Sequence, residues 1–365
     1  MSRAALLGPD ARRVCIVMLS AVCDSVHVLP VVNALKRHRP ELELSWVIQR
    51  GPLALVGGHP AVDEFVEVVP TAGGLRDLRR RLAGRRFDLV LDLQVALKGG
   101  LATALVPARA KLGFDRARAR DLNWLFTTHR IPPHPRQHVQ DQYFEFLDFL
   151  GVPAQPVTWR LGPWERERAW QREFLARFER PVAAVVCGTS DPDRDWLPER
   201  WAAVCDALDA EYGLQPVLVG GPTSRERATA AAVARLARHS RPVGALGSGL
   251  RPLVSILDGS ALVLSLDTAP LHMAVALDRP VVSLMSQADP RRTGPYGRFQ
   301  DLVVDAFTEP GDGPEVVWER RRGRMGRIGV ADVLAKVERW RTHYAPADRV
   351  ARSAGGTAGG TAGDA

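Results

Sequence analysis

Short apolar runs rich in Val, Leu and Ile alternate along this chain with longer stretches whose apolar positions recur at helical spacing. That is the pattern of parallel sheets covered by helices on both faces. In the first half, Val14–Leu19 reads as a buried strand and Leu29–His38 as the helix after it. Leu44–Ile48, Glu64–Val69 and Phe87–Gln94 are further strands, and the arginine-rich Gly74–Gly84 reads as a helix before the last of them. The alternation restarts with the strand Pro181–Gly188 and a helix that opens near Pro198 and stops at Gly213. Gln215–Gly221, Ala261–Asp267 and Arg279–Met285 follow as strands, with helices over Ser224–His239 and Ala269–Asp278.

These two cycles predict an α/β chain of two Rossmann-like domains with parallel sheets facing an interdomain cleft. The first domain covers residues 1–155, a Pro- and Trp-rich connection 156–175, and the second domain 176–345. The final helix is a candidate to pack back on the first domain, and the low-complexity residues 346–365 read as a disordered tail. In doubly wound sheets ligands bind outside the carboxyl ends of the strands. Two strand ends therefore carry the chemistry: LSAVCDSVHVLP, with Asp24 and His27, and LSLDTAPLHMA, with Asp267, Thr268 and His272. The pattern places one aspartate from each domain at the shared cleft.

Composition narrows the class. The chain has 365 residues, 46% apolar and 25% charged, as in soluble globular proteins. No run approaches the roughly 20 apolar residues of a bilayer-spanning helix, and the first residues are too weakly apolar for a signal peptide. Four scattered cysteines without a CxxC pair point to reduced thiols in the cytoplasm. The net charge of +8 comes mainly from arginine. It fits attraction to an anionic surface or a phosphorylated substrate, and it fits GC-rich coding equally well. No nucleic-acid partner is expected, because no recognition motif or interleaved aromatics accompany the charge. The sequence is silent on oligomeric state.

GxGxxG after the first strand, GxxxxGK[ST] and GxSxG are all missing, which argues against dinucleotide oxidoreductases, P-loop enzymes and α/β-hydrolases. Asp191–Asp193 (DPD) resembles the acidic pair that holds a metal in some sugar transferases, but a three-residue pattern in a Pro-containing loop is weak, and the loop histidines His129, His134 and His138 read as solvated, so neither a metal nor a cofactor is expected. What remains suits a phosphate leaving group. CGTSDPDRDW, after a strand, offers Thr189, Ser190 and the cation of Arg194, and DTAPLH offers the N–H groups of a helix start and the Thr268 hydroxyl. A diphosphate met by fixed donors can leave without a divalent metal. An attacking hydroxyl also needs a base. Asp24 is placed to be one, and is placed equally well to cap the following helix.

At these residues the chain resembles the heptosyltransferases of glycosyltransferase family 9, the heptosyltransferase I group in particular. The resemblance runs from about Val14 to Tyr344 and rests on the order and spacing of LSAVCDSVHVLP, HPAVDEF, FDLVLDLQVALKGG, KLGFDRARARDLNWLF, DRDWLPERW and LSLDTAPLHMAVALDRPVVSLMSQADPRRTGPYG. It implies a GT-B architecture and inverting, metal-independent transfer of heptose from an ADP-activated donor to the anionic Kdo region of a lipid A acceptor. The implied setting is the cytoplasmic face of the inner membrane, with peripheral contact to its anionic surface through Arg76–Arg86 and Arg116–Arg120. By motif position Asp24 resembles the catalytic base. Thr189, Ser190, Arg194, Glu226, Asp267, Thr268, Ala269 and His272 resemble the donor site. Lys98, Arg116, Arg118 and Arg120 resemble the acceptor contacts. The chain departs from the family pattern at Cys23 and Ala269, where glycine is common, at Val95, and at Arg194, where lysine is common. Two other readings remain open: a family member using another nucleotide sugar in a surface-glycan pathway, and a non-catalytic glycan-binding relic of the fold.

Overall fold

The computed structural model describes residues 6–345; the tail expected over 346–365 lies outside the described residues. The chain divides into two units at Gly162/Pro163. Each is built on a six-stranded, wholly parallel sheet.

In the first unit the strands are β1 (Arg13–Val17), β2 (Glu43–Ile48), β3 (Glu64–Glu67), β4 (Phe87–Asp92), β5 (Ala108–Gly113) and β6 (His129–Arg130). Their spatial order is β3-β2-β1-β4-β5-β6. Helices α1 (Val22–His38), α2 (Arg50–Val56), α3 (Ala72–Arg81) and α4 (Leu97–Leu105) make crossovers, and α5 (Val139–Leu150) follows β6 and packs on α1. Strands β1 and β4 are buried almost throughout, as central strands covered on both faces must be.

The second unit repeats the order as β12-β11-β10-β7-β8-β9. Its strands are β7 (Val182–Val186), β8 (Gln215–Val219), β9 (Val243–Gly244), β10 (Leu262–Leu266), β11 (Val281–Met285) and β12 (Val303–Asp305). Around them lie α6 (Glu165–Leu175), α7 (Pro198–Ala210), α8 (Ser224–Leu236), α9 (Leu250–Gly259), α10 (Ala269–Ala276), the single turn α11 (Pro290–Thr293) and α12 (Val330–His343). In both sheets the strand order reverses beside the first strand, the doubly wound arrangement.

The structure sharpens three of these expectations. The helix after β1 begins at Val22 rather than Leu29, so Asp24 and His27 lie within its first turns. The pattern hid this start because every residue from Ser25 to Leu35 is buried, which erases the amphipathic period, and because Pro30 sits inside the helix. Part of the expected connection is helix: α6 packs on α9, with Arg251 of α9 paired to Glu167 and stacked 3.8 Å from the Trp164 ring centroid. The final helix, α12, packs on α7, β11 and β12 of its own unit.

Trp201 of α7 is fully buried and meets Trp196 edge to face at 4.9 Å. Trp201→Ala is therefore expected to lower stability by about 3–5 kcal/mol, read as an earlier urea transition.

Candidate functional site

At the reversal in the first sheet, β1 and β4 end side by side, and their exits are tied together by side chains. The Gln94 Oε1 accepts the successive N–H groups of Leu19 (3.1 Å) and Ser20 (3.2 Å). One residue on, the Ala21 N–H donates to Asp24 Oδ2 at 2.8 Å, closing the start of α1. Asp24 is thus a helix cap, and that bond fixes the direction of its carboxylate. Lys98, in the first turn of α4, donates through Nζ to the Ser20 hydroxyl. Asp24, Lys98 and the Ser20 corner therefore share one strand-end site.

Beneath them Asp92 is wholly buried and accepts the Gln94 N–H and Asn123 Nδ2, both at 3.2 Å. Burial pushes its carboxyl up to about 7, against those donors. Gly99 is needed here, because a Cβ would come within 2.4 Å of the Gln94 Cβ and 3.2 Å of an Asp92 oxygen.

The acceptor candidates separate. Arg116 is exposed, with its guanidinium 4.4 Å from the Trp124 ring centroid, and Arg120 is exposed as well. Arg118 is corrected: it is buried, Nε on Asp115, both terminal nitrogens on Glu145 at 2.7 Å, and one also on the Pro132 carbonyl. Its fork is consumed inside the unit. The acid three residues earlier, Asp115, was the sequence signal for that role.

At the reversal in the second sheet, β7 and β10 lie side by side. Arg194 joins their exits: its Nη1 donates to the Asp267 carbonyl at 2.8 Å and lies 3.8 Å from the Asp267 carboxylate. Burial raises the Asp267 pKa, opposed by the charges of Arg194, Arg320 and Arg292. Arg320 lies outside every motif, and Arg292, though inside the last of them, was not singled out. Arg320 is brought in by a segment docked through the Val317 N–H on Asp289 (2.8 Å) and the Arg321 N–H on the Gln287 carbonyl (3.0 Å). Arg292 stacks 5.2 Å from the Trp318 ring centroid.

Thr268 is the N-cap of α10, with the half-buried Ala269 as its first helical residue and His272 buried one turn on. Neither Cys23 nor Ala269 is at positive φ, so replacing glycine by a side chain costs these backbones no strain.

The loop after β7 is braced from within. Thr189 is buried; its N–H donates to Asp195 at 2.8 Å, and its hydroxyl lies 2.7 Å from the Asp191 carbonyl. Arg225 pairs with Asp195 and with the Thr189 carbonyl. Thr189 therefore shapes the loop, while Ser190 is its exposed hydroxyl. Glu226 is buried in the first turn of α8, which Thr223 caps, and accepts the Gly221 N–H (2.8 Å) and the Thr223 hydroxyl (2.6 Å). Among the described residues no group of three or more His, Cys, Asp or Glu side chains forms a metal-binding set.

The sequence profile described as glycosyltransferase family 9 (heptosyltransferase) matches residues 75–310. The chain belongs to glycosyltransferase family 9. It is 28% identical over 300 residues to a lipopolysaccharide core heptosyltransferase OpsX of Haemophilus influenzae, covering 82% of this chain and 85% of the relative. It is 27% identical over 306 residues to lipopolysaccharide heptosyltransferase 1 of Escherichia coli K12, covering 79% and 92%. Among solved structures, a family 9 glycosyltransferase of Veillonella parvula has a TM-score of 0.77 at 20% identity, covering 91% of this chain and 98% of that one. E. coli heptosyltransferase WaaC with ADP-2-deoxy-2-fluoro heptose has a TM-score of 0.71 at 24% identity, covering 90% and 99%. The fold is the GT-B fold of these enzymes, and this family 9 chain is a glycosyltransferase.

The buried Asp92 generates a pH dependence. Its native pKa lies above the ordinary carboxylate value, so its contribution to stability is complete at low pH and declines as pH rises toward about 7. Asp92→Asn removes that decline. Urea midpoints measured across this window are expected to converge on the wild type at the acid end and to exceed it at neutral pH.

Proposed function

We propose that this family 9 enzyme transfers heptose, with inversion, from an ADP-heptose donor to the Kdo region of a lipid A acceptor, without a divalent metal. The observation that carries the reading is the set of cations around Asp267. Arg194, Arg292 and Arg320 converge where β10 delivers α10, the place a nucleotide diphosphate would take in this fold. The E. coli relative solved with ADP and with a fluorinated ADP-heptose supports the choice of nucleotide.

In this reading an acceptor hydroxyl gives its proton to Asp24 as its oxygen forms the new bond to the anomeric carbon. The bond from that carbon to the diphosphate breaks, and ADP leaves with the electron pair. The growing negative charge on the diphosphate meets the three guanidiniums and the N–H groups at the start of α10. Asp267 holds donor sugar hydroxyls, and Thr268, Ala269 and His272 line the diphosphate. Ser190 and the Thr189 backbone border it, and Glu226 is placed for the nucleotide ribose. Lys98, Arg116 and Arg120 meet the carboxylates and phosphates of the acceptor. No helix among the described residues is long and apolar enough to cross a membrane. A lipid-linked acceptor would be met from the cytoplasmic side by peripheral contact, to which the basic face of α3 contributes.

Asp24→Asn separates the two roles of that residue, because an amide oxygen still accepts the Ala21 N–H while a base is lost. Turnover is expected to fall about 10²–10⁴-fold, with ADP affinity by calorimetry unchanged. Near wild-type turnover would remove Asp24 as the base. In the second unit, Arg320→Ala is expected to weaken ADP binding about tenfold, the worth of one charged hydrogen bond. A donor panel completes the test: preference for a UDP-sugar, or activity abolished by EDTA and restored by Mg²⁺, would overturn the donor and metal assignments.

A further inference from the structure

Four of the seven large apolar side chains exposed among the described residues fall on two touching elements of the first unit. Leu97 (40% exposed) and Leu101 (37%) lie one turn apart on α4, and Leu122 (59%) and Leu125 (56%) lie one turn apart at the short 3-10 helix Asn123–Phe126. The two elements meet at Gly100, where a Cβ would come within 2.4 Å of the Phe126 ring and 3.3 Å of the Asn123 Cα. Leu122 is moreover held at φ +61°, a left-handed conformation that suits Asn or Gly. Neither burial nor backbone preference accounts for a leucine there.

Cations fringe these leucines. Arg116 and Arg130 lie 4.4 and 5.3 Å from the centroid of the Trp124 ring between them, and Arg120 stands exposed just before Leu122. Asp121 is the lone acid between Arg116 and Arg130. The core of a protein–protein interface is poor in charge, whereas leucine and tryptophan among arginines match the boundary of an anionic bilayer, with apolar side chains inward and guanidiniums at the phosphates.

We propose that α4 and the 122–126 turn form a bilayer-seating surface, in which the four leucines enter the lipid interface and Arg116, Arg120 and Arg130 engage anionic headgroups. It adds specific insertion to the electrostatic contact of α3. The surface adjoins the strand-end site, since α4 also carries Lys98, whose ammonium reaches the Ser20 corner. Its use in catalysis rests on the lipid-linked acceptor proposed above; its affinity for lipid does not.

The test uses the full chain and sedimentation with vesicles of phosphatidylethanolamine and phosphatidylglycerol, against phosphatidylcholine alone. The wild type is expected to bind the anionic vesicles. Leu122→Asn/Leu125→Ser, and separately Leu97→Ser/Leu101→Ser, are expected to lower that partitioning by about tenfold or more. The first pair keeps the thermal midpoint, because asparagine accepts the left-handed backbone, and keeps turnover on a deacylated, water-soluble acceptor. Wild-type protein that ignores anionic vesicles, or both leucine pairs binding like the wild type, would overturn the proposal. Vesicle binding with no transfer from ADP-heptose would leave this surface standing and remove the substrate reading instead.

Discussion

A parallel sheet wound outward from its middle has one place where adjacent strands send their chains to opposite faces, and the rest of this molecule's chemistry depends on that opening. In the first unit it lies between β1 and β4, and in the second between β7 and β10. Covering helices cannot close over it. Backbone N–H groups, helix starts and polar side chains therefore remain accessible at the carboxyl ends of otherwise buried strands. Asp24 and Lys98 stand at the first opening, and Arg194, Asp267 and Thr268 at the second.

An opening of this kind needs bracing, and both units supply it with buried polar side chains that must be satisfied. Gln94 holds two consecutive N–H groups at the exit of β1 and is itself held over Asp92 and Asn123. In the second unit Asp195, Arg225 and Thr189 lock the loop after β7, and Glu226 locks the one after β8. These groups touch the site from below. They explain why hydroxyls and acids that look like ligand contacts in the sequence are partly committed to the scaffold.

Much of the fold was legible because the central strands are continuous apolar runs and the helices between them carry ordinary start and stop signals. β5 was missed, since Arg109 and Lys111 interrupt its apolar pattern, although Lys111 turns back to the Thr103 carbonyl at 2.7 Å. The start of α1 was missed because burial on all sides leaves no period to detect. At the sites, strand-end motifs located Asp24, Asp267 and Thr268 correctly at the two openings. Arg118 misled, because an arginine in a basic loop looks alike whether it faces solvent or two internal carboxylates. Arg320 had no local signature, since its place depends on a docked segment far along the chain, and Arg292, on α11, was passed over inside a quoted motif.

The carboxylate of Asp267 has a further effect through the company it keeps. Guanidiniums cannot shed their protons in any ordinary range of acidity, so crowding among Arg194, Arg292 and Arg320 is relieved only by a negative partner. Until a visiting anion arrives, Asp267 shares that part with Asp191, which lies 3.7 Å from Arg194 and 3.9 Å from Arg320, and burial makes Asp267 readier than usual to take up a proton. Acid reaches the carboxylate long before it could touch the cations. The positive field at the mouth of β10 is then less offset, and its pull on an outside anion rises as Asp267 loses its charge.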